Sequence, residues 1–112
     1  MTHLFAKTLI NKEPMWLMPL TEVIADPVSQ PFVYETRILM GMLKWANRQP
    51  IRFGPTQERW GYVDAGFLYR HSDRTIPVMM IEIRPQNMLE GDTLLFEPYT
   101  ITGELDLRKY SL

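Results

Sequence analysis

Asp64 and Glu82 are the two residues of this chain whose types and placement come nearest to a chemical pair. Each lies in a stretch that reads with the period of two of a strand, Trp60 to Arg70 and Ile76 to Arg84. His71-Ser72-Asp73-Arg74 reads as the turn that joins them into a hairpin. If that hairpin is centred on Asp73, Asp64 faces Glu82 across the two strands and Tyr62 faces Arg84. Opposed carboxylates repel one another unless a cation or a shared proton lies between them, and magnesium sites are often built this way. A slip of one residue in the register would send the two to opposite faces.

Glu35 on an expected helix, Val63-Asp64 on one strand and Ile81-Glu82-Ile83-Arg84 on the next form a pattern that resembles the PD-(D/E)XK nucleases. The resemblance covers about residues 32–85. It implies metal-dependent phosphodiester cleavage, with Asp64 and Glu82 as ligands of magnesium. Arg84 stands where that family carries lysine, and a guanidinium that stays protonated is a poor substitute for a lysine that orients or activates water. The segment after Pro85 reads as strands, where the family continues with a helix and a strand.

A second constellation joins aromatic and basic residues. Trp60, Tyr62, Phe67, Tyr69, Tyr99 and Tyr110 are interleaved with Arg52, Arg59, Arg70, Arg74 and Arg84. An aromatic sheet beside a basic groove is how OB-like domains stack single-stranded bases. On that reading Arg59, Trp60, Tyr62 and Arg84 are the ligand contacts; on the alternative the rings fill the core and the cross-strand pairs of a sheet. The formal net charge is −1, but residues 37–84 are net basic and both flanks net acidic. Such asymmetry fits a nucleic-acid face or the complementary sides of a folded domain or oligomer.

Other chemistries lack their residues. With no cysteine there is no thiol nucleophile, thiolate metal site or disulfide. His3 and His71 stand far apart, and neither a dinucleotide nor a phosphate-loop glycine pattern occurs. His71, Ser72 and Asp73 are the residue types of a triad, but neighbours on one turn cannot adopt its geometry.

The elements that must position these residues read as follows. The chain has 112 residues, enough for one domain, 1–112. Ile38, Met42 and Trp45, with Leu39, Leu43 and Ala46 beside them, recur at helical spacing and predict a helix from about Phe32 to Asn47. Ser29 would cap it, and Asn47 and Pro50 would stop it. Residues 3–10 suit a strand or a short helix, and the C-terminal half suits an antiparallel meander. The expected fold is α+β, one main helix packed on an antiparallel sheet of four to six strands. No apolar run is long enough to cross a bilayer, and the N-terminus lacks the pattern of a secretory signal, so cytoplasm is the expected location.

With no catalytic set complete, the sequence favours a small non-enzymatic binding or assembly protein without a cofactor. It would act through a sheet face or edge, with a second copy of itself as partner. Val78 and Met80 on one side of a strand, and Met79, Ile81 and Ile83 on the other, ask for cover on both faces. The nuclease and the single-strand nucleic-acid binder are the alternatives.

Overall fold

The computed structural model describes residues 2–22 and 28–110. Its elements are α1 (Thr2–Ile10), β1 (Met15–Pro19), β2 (Gln30–Phe32), β3 (Tyr34–Leu39) and β4 (Met42–Asn47), followed by β5 (Ile51–Phe53), β6 (Gly61–Arg70), β7 (Asp73–Met88), β8 (Leu94–Phe96) and β9 (Thr102–Asp106). A 3-10 turn, Leu107–Lys109, follows β9. Every strand pairing is antiparallel. The strands form three sheets, in the orders β2-β1-β6-β7, β3-β4-β9 and β5-β8.

This overturns the α+β expectation. The segment 32–47 is no helix: it runs through β2, β3 and β4, and the described helix is α1, at the other end of the N-terminal segment. Residues 32–47 satisfy two periodicities. Leu43, Trp45 and Asn47 also alternate with Met42, Lys44 and Ala46, and it is the alternating set that is buried. Met40 and Gly41 settle the matter locally. Both have positive φ, 52° and 80°, which a helix cannot contain and a tight hairpin turn requires. Leu39, expected in the core, is exposed there, while Leu43 is fully buried.

The expected C-terminal meander is corrected as well. Its strands exist, but β8 pairs with β5 and β9 with β4, so only β6 and β7 stay together as a hairpin. Shifts in that hairpin also resolve the two-sided apolar strand. A register irregularity beside Leu68 turns Val78, Ile81 and Ile83 all inward, leaving Met79 half-buried and Met80 exposed.

One hydrophobic cluster draws on α1 and on all three sheets: Phe5, Leu17, Trp45, Phe53, Val63 and Val78 represent its parts. Phe5 meets Trp45 edge-on, with ring centroids 5.3 Å apart. Trp45 pairs across the sheet with Gly103 and lays its indole over it; a Cβ at Gly103 would lie 2.5 Å from the ring. Asn47, fully buried at the end of β4, donates its amide N–H groups to the carbonyls of Gln49 and Glu97. Its side-chain oxygen accepts from the backbone N–H groups of Thr100 and Ile101.

Leu43→Ala is expected to lower stability by about 2–5 kcal/mol through lost burial and the cavity left behind. Asn47→Ala, which strips partners from four backbone groups, should cost about 2–4 kcal/mol. Urea unfolding followed by tryptophan fluorescence measures both, and a loss near zero for Leu43→Ala would place that residue outside the core.

Candidate functional site

The sequence-predicted site residues are not gathered into one place. In the β6–β7 hairpin Glu82 lies opposite Ala65, not Asp64, and Gly66 opposite Ile81. The register shifts between Val63 and Ala65, so Val63 faces Gln86 and Tyr62 faces Asn87 rather than Arg84. Asp64 and Glu82 are both exposed, at this irregularity. Glu35 lies on β3, in a different sheet. Among the described residues no three His, Cys, Asp or Glu side chains converge as a metal site would require.

The aromatic–arginine set divides too. Trp60 is a core residue, 4% exposed, edge-on to Phe53, with its backbone N–H bonded to the carbonyl of Met88. Tyr62, Arg59 and Arg84 are exposed. Arg70 faces Asp73 at 3.6 Å, and Arg74 lies over the ring of Trp16, 3.7 Å from its centroid.

Trp16 belongs to an arrangement with no signal in the linear sequence. Its indole N–H donates to Nδ1 of His71 at 3.0 Å, and the two rings stack at 23°. A ring nitrogen that accepts leaves the proton of neutral imidazole on Nε2. The backbone N–H of His71 is bonded in turn to the carbonyl of Pro14. The β6–β7 turn is thereby pinned against the start of β1, forming a guanidinium–indole–imidazole shelf.

Beside this shelf lies a cleft of about 540 Å³. One wall is residues 12–16, the other residues 31–36, with Arg48 and His71 at its margins. The cleft exists because two neighbouring segments part. Met15 still pairs with Phe32, but at Val33 the chain passes from one sheet to the next, and the Val33 carbonyl accepts from the Arg48 N–H at 2.8 Å. Upstream of Met15 the chain turns toward α1 through Lys12, whose φ is 54°. Tyr34 spans the gap. Its hydroxyl sits 2.6 Å from the carbonyl of Glu13 and 3.3 Å from that of Thr8, and the shorter contact takes the proton. Burial, and then the Glu13 carboxylate, push the phenol up to about 12.

The polar atoms of Trp16 and Tyr34 are thus satisfied within the protein, and Pro14, Met15 and Phe32 make much of the lining apolar, with Lys12, Glu13, Glu35 and Arg48 as its charged part. Nothing in the cleft links a nucleophile to a base and an orienting group. What it can do is receive apolar side chains.

The complementary feature is the far end of the same strand. The β3–β4 hairpin exposes Ile38 by 56%, Leu39 by 57% and Met40 by 87%. No family model, curated protein or solved structure matches the chain.

Tyr34 sets a pH dependence whose sign follows from linkage. Its folded value lies above that of an unfolded tyrosine, near 10, so the native state holds a proton that the unfolded chain releases. This contribution to stability is complete below pH 10 and lost as pH rises toward 12. Tyr34→Phe should flatten the fall in denaturation midpoint between pH 10 and 12; an unchanged slope would assign it to other groups.

Proposed function

We propose that this protein is a small non-catalytic assembly protein that associates with itself through the β3–β4 hairpin. The observation that carries the reading is the contiguous exposure of Ile38, Leu39 and Met40 on a hairpin whose first strand is the edge of its sheet. Isolated exposed apolar residues are ordinary, but three in succession at a sheet edge unpaired among the described residues offer both apolar area and backbone hydrogen-bonding groups. An interaction surface needs both.

The alternatives draw less support. Single-strand binding loses Trp60 to the core and finds Arg70 and Arg74 already engaged. The nuclease reading, and with it magnesium, loses the helix expected to carry Glu35 and the opposition of Asp64 to Glu82. No helix among the described residues is long and apolar enough to cross a membrane. We place the protein in the cytoplasm.

Leu39→Asp combined with Met40→Asp should reduce the mass in solution to that of one chain, while changing the stability of the isolated chain by no more than exposed substitutions do, about 0.5 kcal/mol. Light scattering across a concentration series reads the mass. A wild-type chain that remains monomeric at the highest concentrations would overturn the reading.

A further inference from the structure

We infer that two copies of the chain pair antiparallel through β3, about a two-fold axis at Thr36, and that the hairpin end of each enters the cleft of the other. The inference rests on the assembly reading and specifies its interface.

The hydrogen-bond phase comes first. In a strand the N–H and C=O of one residue point to the same side, and successive residues alternate. The backbone N–H of Asn47 donates to Ile101 and its carbonyl accepts from Tyr99, so Asn47 faces away from its β3 partner Tyr34. The Val33 carbonyl, by contrast, points toward β4, where Arg48 donates to it. Tyr34, Thr36 and Ile38 therefore direct their backbone groups to the free side of β3, which ends its sheet. A second β3 can pair only in registers that bring even-numbered residues opposite one another.

Charge then selects among those registers. Pairing Tyr34 with Thr36 of the partner subunit would oppose Glu35 to its own copy. Pairing Thr36 with Ile38 of the partner subunit would do the same for Arg37. Pairing Thr36 with the partner's Thr36 instead sets Glu35 opposite the partner's Arg37, twice by symmetry. It also leaves all three outward-facing residues bonded and places Ile38 beside the partner's Tyr34, an aromatic–β-branched pair of the kind that stabilises sheets. Arg37 is open to such a neighbour. It stands directly across from Lys44 and makes no ion pair among the described residues.

The cleft supplies the third argument. In this register the partner's Leu39 comes level with Val33 and its Met40 with Phe32, where β1 closes the edge. From that closed end the walls 12–16 and 31–36 diverge to give about 540 Å³, lined by Pro14, Met15 and Phe32 with Lys12, Glu13, Glu35 and Arg48 beside them. The exposed hairpin end and the apolar cleft lie at the two ends of one strand, so a single two-fold operation covers both. Such isologous contacts are the commonest kind in homo-oligomers.

The test uses the 112-residue chain. Arg37→Glu should raise the dimer dissociation constant about tenfold, and adding Glu35→Arg, which restores opposite charges at both positions, should bring it back to within about threefold of wild type, as read by sedimentation equilibrium. The chain has no cysteine, so Thr36→Cys gives one thiol. At a hydrogen-bonded pair, with Cα atoms about 5.5 Å apart, it should form an interchain disulfide under mild oxidation, whereas Lys44→Cys should not. Association that ignores Arg37→Glu, or that yields no Thr36→Cys cross-link, overturns this interface. If Leu39→Asp with Met40→Asp still abolishes such association, the assembly reading survives; a wild-type chain that never associates removes both.

Discussion

A single buried amide holds the architecture in place. Asn47 ends β4, and its side chain ties down the loop of residues 97–101 that returns the chain as β9. Its own backbone bonds to Ile101 and Tyr99 as well. An uncharged amide with two donors and an acceptor of two lone pairs is suited to this, because each bond satisfies a main-chain group, and the one from the Ile101 N–H lies in the buried interior. Asparagine at this position decides on which side of β4 the last strand is laid. Since β9 takes one side, β3 takes the other and finishes the sheet with an open edge.

The remaining packing follows from large rings set against small neighbours. Trp45 lies flat over Gly103 on one side and receives the edge of Phe5 from α1 on the other, so helix, β4 and β9 are gripped by one indole. Trp16 does the corresponding work at the opposite sheet, joining the turn after β6 to the beginning of β1 through His71 and Arg74. Between these two rings runs the chain from β2 into β3. The cleft is the space left where it changes sheets.

How much of this could be read in advance depended on whether the signal was local. The β6–β7 hairpin was legible, because two strand-like runs flank a short polar turn, His71-Ser72-Asp73-Arg74. Its register was not: the irregularities beside Val63 and Leu68 are responses to packing, and they separate Asp64 from the position facing Glu82. The segment 32–47 was misread because Ile38, Met42 and Trp45 fit a helical stripe as well as Leu43, Trp45 and Asn47 fit an alternating one. Asn47, in the place of a helix stop, is fully buried where β4 ends. Gly41, in the middle of the supposed helix, was the available clue. Trp16, His71 and Arg74 could not have been grouped from sequence at all, since nothing local links residues 55 positions apart.

The turn that bears Met40 separates the interests of the monomer from those of its surface. A side chain held at φ 52° lies in the left-handed region, where an L-residue other than asparagine or aspartate is strained by about 1 kcal/mol. An asparagine there would relieve that strain and make a stiffer, more soluble hairpin. Methionine instead places a flexible thioether, able to fit irregular apolar surroundings, at the outermost point of the strand pair. The isolated chain is thus less stable than its own backbone would permit.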